Sequence, residues 1–343
     1  MEPSATRFLK NPANAKDVTC PYGWTIDKRS ADHKGRDLIL SMMLDFTELY
    51  RAAPGKPVNL GKIDPSETHG CKFSDDASQE TQSLLERMFE LQELLYATKK
   101  QNLLIVLQGL DTAGKDGVIR HVFRGLNPEG LRVASYKAPS SEELQHDFLW
   151  RIHRNAPTKG EIAIFNRSHY EDVLVTRVHG LVPEKVWRQR YGLINDFERL
   201  LALENQTLTL KFFLHVSPDE QLARFKVRLD EPGHQWKISS SDYSERKFWR
   251  EYTEAFEEAI TATSTEIAPW FVIPADHKWY RNLVISQIIV RALESFKLTT
   301  PTPNVDVEKI RKEFEIAESE LTLEDREQVI KRVEKKERAS SDK

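Results

Sequence analysis

Residues Gly109 to Gly117 read GLDTAGKDG and follow the apolar run Asn102 to Gln108. A strand entering Gly109, four intervening residues, then Gly114 and Lys115, would set backbone N–H groups, a helix N-terminus and one ammonium around a single anionic pocket. That arrangement cradles polyphosphate groups. Where the usual pattern has Ser or Thr after the lysine, this chain has Asp116, and a further carboxylate, Asp111, sits inside the loop. Carboxylates in a phosphate cradle repel their ligand unless a divalent cation lies between them, so the loop itself asks for Mg²⁺. The alternative is a glycine turn that only joins a strand to a helix.

A second constellation is EIAIFNRSHYEDV, an apolar strand that ends at Asn166 and delivers Arg167, Glu171 and Asp172 into the loop or helix beyond it. A carboxylate after a neighbouring strand can complete the metal shell begun by a glycine loop, with Asp172 the first choice and Glu171 the second. These acids would otherwise cap a helix N-terminus. His169, alone beside a turn, reads as a local hydrogen-bonding residue and not as a catalyst. The third constellation, ARFKVRLDEPGHQWK, places Arg224 and Arg228 on one helix face at i and i+4, with Lys237 after a break at Pro232 and Gly233. It suits a lid that closes over charged substrates, or else an exposed amphipathic hairpin.

These groups need a rigid frame. Five β-rich segments, beginning at Asn102, Arg132, Glu161, Thr209 and Trp270 and ending at Gln108, Lys137, Asn166, Val216 and Ala275, alternate with helical stretches. That predicts an α/β fold with a doubly wound parallel sheet covered on both faces. Ligands then sit beyond the carboxyl ends of the strands, where Gly109, Asn166 and Val216 fall. Ser140 with Glu143, and Ser217-Pro218-Asp219-Glu220, predict capping boxes. Leu84, Met88, Leu91 and Leu95 predict an amphipathic helix within Glu80 to Lys99.

The 343 residues predict an N-terminal arm over 1–76, a catalytic domain over 77–299 with its lid at about 218–250, and a charged helical extension over 300–343. The arm includes Tyr22, Trp24 and a helix-like stretch from Leu38 to Tyr50, and it is expected to wrap the domain or a partner subunit. Charged residues make up 30% of the chain, hydrophobic residues 39%, and the net charge is -3. This profile predicts a cytoplasmic protein with no membrane span and argues against general nucleic-acid binding. Cys20 and Cys71, far apart and without CxxC or CxxxH companions, read as reduced thiols.

Taken together, GLDTAGKDG, FNRSHYEDVLV, SYKAPS, the segment from Arg224 to Lys237, and IPADHKWYRN resemble the polyphosphate kinase 2 family, over about Leu84 to Phe296. The resemblance implies a P-loop kinase fold akin to thymidylate kinase, a five-stranded sheet with a helical lid, and reversible transfer of a phosphoryl group from inorganic polyphosphate to a nucleotide. It implies Mg²⁺ on Asp111 and Asp172, and places Lys115 and Arg167 with them in catalysis. Gly109, Thr112, Ala113, Gly114, Asp116, Gly117, Lys137, Arg224, Arg228 and Lys237 would hold polyphosphate or nucleotide. Leu110 after the first glycine resembles members that accept AMP as well as ADP. The alternatives are a diphosphate-specific relative and an ATP-using nucleoside monophosphate kinase. Family resemblance also implies a homodimer or homotetramer, with the Leu84 to Leu95 helix as one candidate contact and guanine nucleotides as further acceptors.

Overall fold

The computed structural model describes residues 17–19, 25–27, 45–73, 75–237, 244–319 and 331–332. Tyr22, Trp24, Cys20, the stretch from Leu38 to Leu44, and the apolar positions Leu321, Val329, Ile330 and Val333 lie outside them. A short antiparallel pair, β1 (Asp17–Thr19) and β2 (Thr25–Asp27), precedes the main body.

Strands β3 (Asn102–Gln108), β4 (Leu131–Ser135), β5 (Ile162–Asn166), β6 (Thr207–His215) and β7 (Trp270–Pro274) form one five-stranded sheet in the order β4-β5-β3-β6-β7. All neighbours are parallel. The central strand β3 is buried at every position, as expected of a strand covered on both faces. Its alternate residues serve different cores. Leu103, Ile105 and Leu107 pack with α2 (Asp75–Thr98), α3 (Lys115–Val122) and α9 (Lys278–Ser295). Leu104 and Val106 face α5 (Glu171–Val178), α6 (Glu184–Asn205) and α8 (Trp249–Thr263) on the other side.

Side-chain chemistry explains the helix starts and corrects two expectations. Ser217 caps α7 (Pro218–Asp230) by accepting from Glu220 N at 3.1 Å, with Pro218 at the first helical position. The box is only half made: the Glu220 carboxylate accepts from Arg224 Nε at 2.7 Å, and the Ser217 N–H donates to Asp276 Oδ1 at 2.8 Å. A nearby guanidinium outcompetes a neutral amide for that carboxylate. Ser140 and Glu143 do exchange both bonds, at 3.2 and 2.7 Å. Only a single 3₁₀ turn, Glu143–Gln145, follows before Asp147 accepts from Leu149 N ahead of α4 (Trp150–His153).

Met88, Leu91 and Leu95 of α2 are buried against the helices of the first core. Burying such side chains contributes about 1.5–3 kcal/mol each, so that stripe is consumed inside the chain and is not available for a second copy. The described part of the N-terminal region also packs on the domain. Phe46 and Tyr50 of α1 (Phe46–Tyr50) enter the first core, and Ala52 N donates to Trp270 O at 2.8 Å on the edge strand β7.

One compact unit extends through Thr299 and a second begins at Thr300. The second contains α10 (Val307–Ser319), which carries exposed Ile310, Phe314 and Ile316. Among the described residues no helix is long and apolar enough to cross a membrane.

Candidate functional site

The loop after β3 is shaped by glycine where no other residue fits. Gly109 has φ +148°, and a Cβ there would lie 2.9 Å from the backbone oxygen of Leu214 on β6. Gly114, in the left-handed region, forms the N-cap of α3, and a Cβ there would fall on Arg281 Nη1. Both faces of the loop are thereby pressed against neighbours. Thr112 is held at φ +63° between them, a conformation that costs free energy for a residue with a Cβ and tends to collect at functional loops.

Three cations converge on this loop. Lys115 Nζ donates to the carbonyls of Gly109 at 2.7 Å and Leu110 at 3.1 Å, so its ammonium is folded across the mouth of the cradle. Burial, reinforced by the nearby Arg167 charge, lowers its pKa to about 8. Arg224 donates to Thr112 O at 2.9 Å and Ala113 O at 3.0 Å from one nitrogen, and to Ala275 O at 2.6 Å from another. It is therefore an internal brace that locks the back of the loop to the segment after β7. Arg281 of α9 reaches the same place, 3.4 Å from Ala113 O, and is 1% exposed. Burial first, and the Arg224 charge second, lower its pKa to about 9.

The adjoining strand β5 supplies the second wall. Asn166 at its carboxyl end donates to Asp116 Oδ1 at 2.7 Å. Arg167 follows at φ +60° and forks between Asp111 and Glu171, the latter at 3.2 Å. Burial works against its charge, yet Glu171 and Asp111 outweigh that and raise its pKa. Asp172 lies deeper in the first turn of α5, 3.6 Å from Arg151 Nη2 and 3.8 Å from Arg190 Nη1. Desolvation exceeds the attraction of both arginines, so its pKa is raised. Its Oδ2 is buried with no hydrogen-bond partner.

A cleft of about 930 Å³ opens over these groups. Asp111, Thr112, Gly114, Lys115, Asp116, Gly117, Lys137, Arg167, Arg224 and Arg228 line it, together with Asn166, Lys278, Arg281 and Trp236. Gly109 and Ala113 shape the loop from beneath, and Asp172 is not part of the cleft wall. Lys237 ends the 3₁₀ turn Pro232–Lys237, and its side chain lies outside the described residues.

Sequence reasoning does not single out Arg281 as a site residue and places Asn166 only at a strand end where ligands sit, although both stand inside the family-like motifs. Arg151 and Arg190 are likewise lost among the many mid-chain cations. A single sequence shows a basic residue in a helix and a polar one at a strand end; it does not show that the first fills the space left by Gly114. Gly114 itself is the available signal, since an obligate glycine implies a neighbour at close range.

The donor chemistry fits a small hard cation. Asp111, Asp116 and Asp172 offer carboxylate oxygens and Asn166 an amide oxygen, and Asp172 Oδ2 is buried without a hydrogen bond, 3.6 Å from Arg151 Nη2. Among the described residues no three His, Cys, Asp or Glu side chains form a cage, so a cation here would take further oxygens from phosphate or water, the coordination habit of Mg²⁺.

Comparison with known proteins identifies the family. Residues 72–301 match the family described as polyphosphate kinase 2. An AMP/ADP-polyphosphate phosphotransferase of Meiothermus ruber is 50% identical over 262 residues, covering 76% of this chain and 98% of the relative. An ADP-polyphosphate phosphotransferase of Rhodopseudomonas palustris is 42% identical, covering 74% of this chain and 92% of the relative. The crystal structure of polyphosphate kinase 2 from Arthrobacter aurescens superimposes with a TM-score of 0.75 at 39% identity, covering 78% of this chain and 96% of that one. A parallel sheet, a glycine loop that only glycine can close, and this match over most of the chain together establish that the protein belongs to the polyphosphate kinase 2 family.

Proposed function

We propose that this enzyme transfers a phosphoryl group from inorganic polyphosphate to AMP and ADP, reversibly and with Mg²⁺. The single observation that carries this reading is the cleft over the glycine loop, where mixed carboxylates and cations meet at the carboxyl ends of β3 and β5. The similarity to an AMP/ADP-polyphosphate phosphotransferase across 98% of its length supports the acceptor pair.

An oxygen of the nucleotide's terminal phosphate attacks the terminal phosphorus of polyphosphate. One anhydride bond forms, the P–O bond to the next phosphate breaks, and a chain shorter by one unit leaves with the bonding electrons. The attacking group has a second pKa of about 6, so it is already deprotonated near neutrality and needs no strong base. What the site must supply is relief of repulsion between two polyanions held in line. Lys115 and the N-terminus of α3 receive the donor, while Arg167 offers a guanidinium beside the loop carboxylates. Arg224 acts from behind by keeping the loop carbonyls in place, and Lys137 and Arg228 face the same cleft from β4's exit and the lid. Asp111 and Asp172 would hold Mg²⁺, which supplies charge neutralisation on the phosphoryl oxygens when bound.

Incubating the protein with Mg²⁺, polyphosphate and each of AMP, ADP, GMP and GDP, then identifying the nucleotides formed, tests donor, acceptor and step number together. ADP and then ATP should appear from AMP. Product from ADP alone would instead indicate the diphosphate-specific reaction, and product that requires ATP in place of polyphosphate would overturn the reading. The same assay on size-fractionated protein would show whether a homodimer or homotetramer carries the activity.

A further inference from the structure

Thr112 stands at φ +63°, where a residue with a branched Cβ is seldom found, and such a conformation persists only when its surroundings over-determine it. Helix α7 supplies much of that constraint. Gln221 and Arg224, three residues apart and so on one side of the helix, grip successive carbonyls of the glycine loop. Gln221 Nε2 donates to Asp111 O at 2.9 Å, and Arg224 Nη1 donates to Thr112 O at 2.9 Å and Ala113 O at 3.0 Å. The two carbonyls that flank Thr112 are thereby pinned from the same helix, the first of them by Gln221.

Gln221 is itself held. It is 3% exposed, so both ends of its amide need partners inside the protein, and its oxygen accepts from Arg246 Nη1 at 2.8 Å. The same nitrogen donates to Pro218 O, in the first turn of α7, at 2.9 Å. Arg246 opens the 3₁₀ turn Arg246–Phe248 ahead of α8, its guanidinium 5.8 Å from the ring centre of Trp249. Only one orientation of the Gln221 amide satisfies both neighbours: reversed, its NH₂ would face the guanidinium and its oxygen the Asp111 carbonyl. A carboxylate at this position could answer Arg246 but not Asp111, and an apolar side chain could answer neither. Neither Gln221 nor Arg246 is part of the cleft wall, so their effect on the reaction runs through the loop.

Resting on the proposed phosphoryl transfer, we propose that Gln221 and Arg246 are positioning residues that act in series: Arg246 fixes the Gln221 amide, and Gln221 fixes the peptide that carries Asp111. That peptide sets the direction in which the Asp111 carboxylate enters the cleft beside Arg167. Arg224 holds the next two carbonyls and leaves Asp111 O to Gln221. Removing either member of the series should loosen the same peptide. Removing both should cost little more than removing one.

The test is amide hydrogen exchange of the full-length protein, read by mass spectrometry beside steady-state kinetics, for Gln221→Met, Arg246→Met and the double variant. Each single change should speed exchange of the loop amides about tenfold while exchange in β6 stays as in wild type. The kcat should fall about tenfold through the misplaced loop, with the KM for AMP changed by less than about twofold. The double variant should match the singles and not fall about a hundredfold. Arg246→Lys, which keeps a charged donor, should recover most of the loop protection. On an Asp111→Asn background, Gln221→Met should lower the residual rate by less than about twofold, because the group it positions is already gone. Faster exchange throughout the fold, multiplicative losses in the double variant, or unchanged loop exchange in both single variants would overturn the series. Wild-type protein that forms no nucleotide from any polyphosphate would instead sink the proposed reaction, and loop exchange would then decide the series by itself.

Discussion

Two groups of charges flank the turn between β5 and α5, and they differ in how completely they are satisfied. Behind the turn, Lys211 on β6 is wholly buried and donates to Glu198 Oε2 at 2.6 Å, to Thr263 O at 2.7 Å and to Tyr170 OH at 3.0 Å. Tyr170 in turn donates to the other Glu198 oxygen at 2.9 Å. Every proton of that ammonium has an acceptor. In front of the turn, Asp172 Oδ2 is buried without a hydrogen bond, 3.6 Å from Arg151 Nη2, and Arg281 lies beside Arg224 with Ala113 O and Asn282 Oδ1 in reach but, among the described residues, no carboxylate paired to it. Closed charge networks fix a structure, whereas incompletely neutralised ones have capacity left for a ligand. His169 sits between the two: wholly buried, 3.4 Å from Glu198, with both ring nitrogens lacking a hydrogen bond.

The contrast is broken most severely in the open group. Asp111→Asn removes a charge from the loop while leaving its size, and we expect phosphoryl transfer to fall about 10³-fold, the scale of losing one electrostatic contact to a transition state. The melting temperature should hardly move, because Asp111 is a quarter exposed and its partner Arg167 retains Glu171. Steady-state rates beside a thermal melt check both halves. Unchanged turnover would remove Asp111 from the chemistry.

Lys211→Met is the corresponding break in the closed group. Glu198 would be left as a buried, unpaired carboxylate, a change that destabilises by about 3–5 kcal/mol. Chemical denaturation should show this loss, and Lys211→Met/Glu198→Leu, which removes both charges, should recover much of it. If the single variant were as stable as wild type, the network would not be the frame inferred here.

How far the sequence reveals these groups depends on their physics. The open group announces itself because phosphate binding needs glycines at fixed spacing, and the five strands are visible because a buried parallel strand is a continuous apolar run. The ends of β4, β6 and β7 each differ by one or two residues from their sequence assignment, since strand ends depend on pairing partners. The closed group is illegible. Lys211 stands in TLKFFLHV, where a lysine reads as a surface residue, and its partner lies on a helix 13 residues earlier. Arg224 looks like a phosphate ligand from its i, i+4 spacing with Arg228, yet in the fold its nitrogens hold backbone carbonyls. Spacing identifies a helix face but not what stands opposite.

Asp172→Asn separates stability from activity. The pKa of Asp172 is raised in the fold because desolvation exceeds its attraction to Arg151 and Arg190. In the window between the unfolded carboxylate pKa and that raised value the native state binds more protons, so its contribution to stability declines as pH rises. At neutral pH the ionised side chain is a net cost. The neutral amide should therefore raise the stability, read as a higher melting temperature, while activity falls about 10²-fold. A lower melting temperature would mean that the two arginines depend on the negative charge more than desolvation suggests.

The smallest effect concerns Lys115, whose pKa is lowered to about 8 in the free protein by burial and then by Arg167. Below that pH both folded and unfolded chains carry the proton, and the fold bears the full cost of a buried ammonium. Between about 8 and the ordinary lysine value near ~10.4, the unfolded chain binds more protons, so this group makes stability rise with pH. Donor affinity has the opposite sign, because the ammonium that receives phosphate is being lost. The KM for polyphosphate should thus climb severalfold as pH passes from 7.5 to 9, each limit being about half a unit or more from that pKa, while the donor-free protein melts no lower on account of this residue. A bound polyanion favours the charged lysine and shifts its titration upward, so kcat at saturating donor should decline only at higher pH than kcat/KM. Lys115→Met abolishes both trends if they belong to this side chain; their persistence in that variant would transfer them to Arg281, the other cation of the open group with a lowered pKa.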